Sequence, residues 1–150
     1  SLEWVALDVE IYCPVSRLPV LEATDIANYL EGRTGKLQGI QFRGMFEARI
    51  AEVLAHRYPE LLHLFIPNLC SLNFKDQHLI KILEGCAQLQ YLDVGFCEGL
   101  SLYGRQWSRG PIQFATVLAK GSHLLWVGIV GCSNRAAAML RQKFVDVIFE

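Results

Sequence analysis

Charge is scarce in this chain, and the two signs nearly cancel. The chain has 14 lysines and arginines against 15 aspartates and glutamates, so its formal net charge is -1, and the basic residues are scattered. Nucleic acids and anionic membrane surfaces attract proteins through basic patches, so we expect neither as a partner. Charged residues make up 19% of the chain and hydrophobic residues 52%. This excess of apolar residues indicates open apolar ends or surfaces that partners cover.

Long apolar runs and export signals are also absent from the sequence. The longest apolar run, around residues 124–130, is far shorter than the about 20 residues of a membrane-spanning helix, so we expect no transmembrane segment. The first ten residues contain no basic residue, unlike a secretory signal peptide. The five cysteines are an odd number, and no Asn-x-Ser/Thr glycosylation site occurs. These features favour an intracellular, reducing compartment, the cytoplasm, and free buried thiols.

Motifs of catalysis and metal binding are missing as well. The chain has no paired C-x-x-C, no H-E-x-x-H and no serine elbow, which zinc sites and common hydrolases require. Residues 31–36, EGRTGK, look like a phosphate loop, but the glycine spacing is wrong and no Ser or Thr follows Lys36. We expect His56, His78 and His123 to be solvated. We therefore predict no metal, no cofactor and no catalysis, and an enzyme that uses its long loops ranks third among the hypotheses.

The chain does contain a recurring strand frame, L-x-x-L-x-L. It is clearest within residues 86–97, CAQLQYLDVGFC, where the leucine spacing predicts a short strand that ends in a tight turn. Successive frames start 20 to 35 residues apart, and units of about 20–29 residues are typical of leucine-rich repeats. The frames start at Leu2, Leu37, Leu61, Leu89, Leu124 and, with a weaker match, Phe144.

Between the frames the apolar spacing changes to every third or fourth residue, which predicts amphipathic helices. Asp25 and Asp76 are expected to cap the N-termini of two of these helices. Gly32, Gly85 and Gly121 lie where helices should end. The alanine-rich residues 136–140 predict a last, shorter helix.

Units of one strand and one helix bury both apolar faces only when they stack on one another. We therefore expect an α/β fold, namely a leucine-rich-repeat solenoid, a right-handed β-α superhelix of about five irregular repeats. A parallel sheet would line its concave face, with the helices outside, in a single domain over residues 1–150. Insertions at about residues 11–24 and 99–111 either contact partners at the rim or are plain surface loops.

Cysteines recur at the turns of this frame. Cys97 and Cys132 lie eight residues after the first leucine of their frames, and Cys70 lies nine after its own. We expect a small, weakly polar side chain to point inward there and to cap the turn. Cys86 lies at a predicted helix end. Four of the five cysteines are therefore interpreted as packing residues rather than metal ligands.

The residues that alternate with the frame leucines are expected to point to the concave face. Stacked strands would align them in rows: Trp4, Gly39, His63, Tyr91 and Trp126, then Ala6, Gln41, Phe65, Asp93 and Gly128. Aromatic side chains on a rigid sheet are typical of binding hot spots. The predicted partner-binding face comprises Trp4, Arg43, His63, Phe65, Tyr91, Asp93 and Trp126. The alternative is that the chain's own loops cover these rings.

The second insertion is a further candidate contact. Within YGRQWSRG, residues 103–110, Arg105, Trp107 and Arg109 combine guanidinium groups with an indole ring. This combination suits an acidic peptide or a phosphate. The alternative is a solvated loop without a ligand.

Residues 76–97, DQHLIKILEGCAQLQYLDVGFC, with a matching turn at Cys132, resemble the cysteine-containing leucine-rich repeats. Such repeats are typical of F-box leucine-rich-repeat proteins, where they hold substrates for a ubiquitin ligase, and of other intracellular scaffolds. No F-box segment is visible, so this resemblance concerns the repeats. A second resemblance, to mitochondrial leucine-rich-repeat proteins of the ATP synthase coupling factor B type, rests on residues 22–25, EATD, which are close to the D-A-T-D element of that family.

These observations lead to two functional hypotheses besides an enzyme. The first is a non-catalytic protein-protein interaction module that binds a protein partner through the concave sheet and the rim loops, with a substrate-recruiting adaptor as one form of it. The second is an accessory structural subunit of a large multi-protein complex, which the second resemblance places in the mitochondrion.

Overall fold

Strands and helices alternate along the chain. The computed structural model describes residues 3–7, 23–42, 46–67, 73–104 and 109–150, the first five and 23–25 by their backbone alone. The strands are β1 (Glu3–Leu7), β2 (Leu37–Phe42), β3 (His63–Phe65), β4 (Tyr91–Asp93), β5 (Trp126–Gly128) and β6 (Ile148–Phe149). The helices are α1 (Ala23–Gly32), α2 (Ala48–Arg57), α3 (Asp76–Gly85), α4 (Gly110–Leu118) and α5 (Asn134–Lys143), with a short 3₁₀ helix at Ser101–Tyr103. The prediction of an α/β fold is confirmed.

The strands form one sheet in which spatial order follows chain order. Six strands lie side by side from β1 to β6, and every neighbouring pair is parallel. Parallel neighbours need a crossover between them, and α1 to α5 supply it. Consecutive helices contact one another, so they form a layer over one face of the sheet.

The inner face of the sheet carries the frame leucines. The register aligns Ile40 with Leu64, Leu64 with Leu92 and Leu92 with Val127, and all four side chains are 0% exposed. Side chains alternate along a strand, so one apolar residue in two is enough to build this face. The predicted positions of β2 to β5 and of their inward-facing residues are confirmed.

The last strand departs from the predicted frame. A frame that starts at Phe144 would place Val147 opposite Val127, but the register places Phe149 there. The reason is the length of α5, which spans ten residues and ends at Lys143. The chain then needs Phe144 and the next residues to return to the sheet, so the strand begins later. The prediction of a shorter last helix was therefore wrong.

The predicted helix caps were also misplaced. Helix α1 begins at Ala23, so Asp25 lies inside its first turn. Helix α3 begins at Asp76 itself, after Lys75. The Asp76 carboxylate instead accepts hydrogen bonds from the Ser101 backbone N–H, at 2.9 Å, and from the Gln113 side-chain amide, at 3.1 Å. It therefore ties the second insertion and α4 to α3 instead of capping its own helix.

His78 is not the solvated residue that its position predicted. Its ring packs 5.0 Å from the Phe46 ring and 6.3 Å from the Phe74 ring, measured between centroids. Its Nδ1 accepts the backbone N–H of Lys75 at 3.0 Å. Burial, with the nearby charges of Lys75 and Lys81, lowers the pKa of this imidazole below its ordinary value. His78 is therefore part of the packing at the start of α3.

The cysteines at the turns act as packing residues. Cys97 is buried and its thiol donates to the Ile66 carbonyl at 3.1 Å. Cys86 is also buried, and burial with the nearby charge of Glu60 raises the pKa of its thiol to about 12. Cys132 is half-buried. Its side chain is therefore less buried than the inward position predicted from its frame. Cys70 lies outside the described residues, among which no cluster of three or more metal-ligating side chains occurs.

Candidate functional site

The outer face of the sheet carries the rows of side chains that alternation predicts. The register aligns Gly39, His63, Tyr91 and Trp126 in one row. The next row contains Gln41, Phe65, Asp93 and Gly128. The four ring-bearing side chains, His63, Phe65, Tyr91 and Trp126, and the Asp93 carboxylate are half-buried. We call these five residues the ring cluster.

Two of the rings stack across neighbouring strands. His63 on β3 and Tyr91 on β4 are nearly parallel, with centroids 4.7 Å apart and an interplanar angle of 6°. Burial lowers the pKa of His63 below its ordinary value, so its imidazole is neutral at neutral pH. Each ring thus covers one face of the other, and the two form a stacked aromatic pair across β3 and β4.

Trp126 lies across its own strand instead of standing upright on it. At Gly128, two residues further along β5, an added Cβ would come within 2.7 Å of the indole carbon Cη2. The indole meets the Phe65 ring nearly at right angles, with centroids 6.2 Å apart and an interplanar angle of 81°. Gly128 is therefore needed as glycine, because any side chain there would displace the indole from this arrangement.

Asp93 is the acidic member of the ring cluster. Its Oδ1 accepts the backbone N–H of Gly95 at 2.9 Å, which orients the carboxylate at the end of β4. The same oxygen lies 2.5 Å from the position that a Cβ on Gly128 would occupy. Carboxylate and indole thus converge above Gly128, the one residue of the second row that has no side chain.

Exposed apolar side chains extend this face. Ile148 pairs with Trp126 from β6 and is 59% exposed, and Val130 and Phe96, in the turns after β5 and β4, are 56% and 47% exposed. Phe96 has a left-handed backbone, with φ at 55°. Its ring lies against Gly131, where an added Cβ would be 2.4 Å from the ring carbon Cδ1. A non-glycine residue held in this conformation is uncommon.

The second insertion packs against the ends of the strands. The Tyr103 hydroxyl lies 3.1 Å from the carbonyls of both Val94 and Val130, which follow β4 and β5. Burial is the main cause that raises the pKa of this phenol, so it remains a donor at all ordinary pH values. A cavity of about 410 Å³ opens beside it, with Leu102, Pro111, Cys132 and Arg135 among its lining residues. The described part of the insertion, residues 99–104 and 109–111, thus packs against the strand ends at Tyr103.

The structure brings together five of the ten predicted contact residues. They are the members of the ring cluster. The backbone of β1 places Trp4 opposite Gly39, in the first row. Arg43, Arg105 and Trp107 lie outside the described residues. Arg109 is exposed immediately before α4, and it is not among the residues that line the cavity.

Sequence reasoning missed three residues of this surface. Ile148 was missed because the predicted rows ended at the fifth frame, although alternation makes it an outward residue of β6. Phe96 and Tyr103 lie in turns and insertions, where no periodic pattern predicts the direction of a side chain. Only the aromatic residue type was a signal for these two positions.

Comparison of the chain with models of protein families, with curated proteins and with solved structures finds no match. Among the described residues, no helix could serve as a membrane-spanning segment. The surface must therefore be interpreted from its own residues.

Proposed function

We propose that this chain is a non-catalytic protein-interaction module, a leucine-rich-repeat solenoid whose outer sheet face binds a protein partner. The observation that carries the proposal is the ring cluster, in which four rings and one carboxylate lie together on rigid, hydrogen-bonded strands. Solvent-accessible aromatic rings on a rigid scaffold lose little conformational entropy on binding, which is why they dominate binding energy at interfaces.

Three features support the repeat architecture. Strand order equals chain order, each strand is parallel to the next, and the helices form one layer. The frame leucines fill the space between sheet and helices, as stacked repeats require. The three described cysteines, Cys86, Cys97 and Cys132, are not joined in disulfides, which supports a reducing compartment, the cytoplasm or alternatively the mitochondrion. A substrate-recruiting adaptor is one form of this function.

The test is partner capture with matched variants. The double variant Tyr91→Ala and Trp126→Ala removes two rings from the outer face. The control, Tyr29→Ala and Ile112→Ala, removes two side chains that are 44% and 59% exposed on α1 and α4. We expect partners that quantitative mass spectrometry detects with the wild-type chain to be lost with the first variant and retained with the second. Equal recovery with both folded variants would contradict the proposal.

An accessory subunit of a larger complex is the second candidate. It is favoured by apolar exposure beside the last strand pair, where Val145 is 80%, Ile148 59% and Leu125 46% exposed. The Ile148 N–H donates to the Leu125 carbonyl, so two of these side chains lie on neighbouring segments. An obligate interface would cover such surface. A chain that elutes from size exclusion as a stable, well-behaved monomer would argue against this candidate.

A further inference from the structure

Asp93 provides the carboxylate of the ring cluster. Among the described residues it takes part in no ion pair, and its hydrogen bond comes from the Gly95 backbone N–H. The neighbouring His63 has a lowered pKa and adds no positive charge at neutral pH. An apolar partner that covered this face would strip water from an uncompensated charge, which is costly.

The rings around Asp93 are arranged to attract a cation. Phe65 lies directly opposite Asp93 across β3 and β4, and the Trp126 ring contacts the Phe65 ring edge to face, with centroids 6.2 Å apart. Gly128 faces Asp93 from β5. Because it has no side chain, the Asp93 carboxylate and the Trp126 ring both approach the space above it. The faces of aromatic rings carry negative electrostatic potential, and they bind guanidinium and ammonium groups most strongly where water is excluded.

We propose that Asp93, Phe65 and Trp126 form a subsite for an arginine side chain of the protein partner. The planar guanidinium stacks on a ring and donates in a fork to a carboxylate, a combination that a lysine ammonium does not offer. The proposal rests on the proposed function, because it names the group by which a partner is recognised on the same face. An arginine subsite would also make the choice of partner depend on charge, although the net charge of the chain is only -1.

The experiment titrates N-acetyl-arginine amide into the ¹⁵N-labelled chain and follows the indole N–H resonance of Trp126, assigned with Trp126→Phe. N-acetyl-norleucine amide is the neutral probe, and N-acetyl-lysine amide is the second cation. We expect weak, saturable binding of the arginine probe, weaker binding of the lysine probe, and no response to norleucine. Asp93→Asn keeps an oxygen for the Gly95 N–H and should weaken arginine binding about 10-fold, the size of one charge-assisted hydrogen bond.

The control variant is Glu98→Gln, which removes the same charge from an exposed position after β4 and should leave arginine binding unchanged. Thermal unfolding verifies that each variant is folded. Equal responses to arginine and norleucine, or unchanged arginine binding by Asp93→Asn, would overturn the subsite. Tighter binding of the lysine probe would overturn the choice of arginine. None of these results tests the proposed function. That proposal fails only if the double variant Tyr91→Ala and Trp126→Ala retains its partners.

Discussion

The two faces of the sheet come from the same strands but have different chemistry. On the inner face, Leu64, Leu92 and Val127 are aligned and 0% exposed. On the outer face, one residue away along each strand, are the half-buried rings and the carboxylate of the ring cluster. Packing against helices explains the first composition completely. Solubility alone would favour small polar residues on the second, and this difference is the basis on which we propose a recognition role for the outer face.

The largest expected difference between the two faces is in the stability lost when neighbouring residues on opposite faces are truncated. Leu92→Ala should lower the free energy of unfolding by about 3–4 kcal/mol, because it leaves a cavity beneath the helix layer. Tyr91→Ala, one residue earlier, should cost only about 1 kcal/mol, mainly through loss of the stacked ring pair. Urea unfolding followed by circular dichroism measures both values. Equal losses would show that the outer rings are core residues rather than a surface.

A smaller loss of stability is expected from a substitution that tests the packing of the helix layer. An added Cβ at Gly85, at the end of α3, would lie 2.5 Å from the Ala55 Cα and carbonyl oxygen. Gly85→Ala should therefore destabilise the chain by about 2 kcal/mol through overpacking between α2 and α3. Gly32→Ala is the matched control, because nothing lies within 4 Å of its added Cβ, and we expect no loss and a gain of at most about 1 kcal/mol. The difference between their thermal midpoints tests this; a harmless Gly85→Ala would mean that the helix layer is loosely packed.

The smallest effect is a pH dependence shared by the two faces. Burial lowers the pKa values of His63, on the outer face, and His78, beside the helix layer, from 6.5. The unfolded chain therefore takes up protons first as the pH falls below 6.5, and the free energy of unfolding should decrease until the folded-state pKa values are passed. We expect this decrease to be reduced in His63→Gln and in His78→Gln and smallest in the double variant. An unchanged pH slope in the double variant would assign the effect to other groups.

Alternation within the strands made much of this fold predictable. Leu37, Leu61, Leu89 and Leu124 start frames whose inner residues are aligned in the sheet, because burial selects apolar residues at every second position. The same alternation predicted the outer rows. The predicted position of the frame was wrong only at β6, where no glycine marks the end of α5 and the strand begins two residues later than expected.

The misplaced cap at Asp76 shows a different limit. Its partners, Ser101 and Gln113, lie 25 and 37 residues further along the chain. A local rule assigns such a carboxylate to its own helix, since nothing in the neighbouring residues shows a distant donor. Tyr103, which contacts the ends of two strands from an insertion, was unpredictable for the same reason.

The sequence by itself determined which residues face the helices and which face outward, because that choice follows from a period of two along each strand. The tertiary structure decided how the outward groups meet. Trp126 lies over Gly128 toward Phe65, and Asp93 points to the same space with its Oδ1 held by Gly95. Those directions depend on the space left by residues of neighbouring strands, about 30 residues away in sequence, and a periodic pattern carries no information about that space.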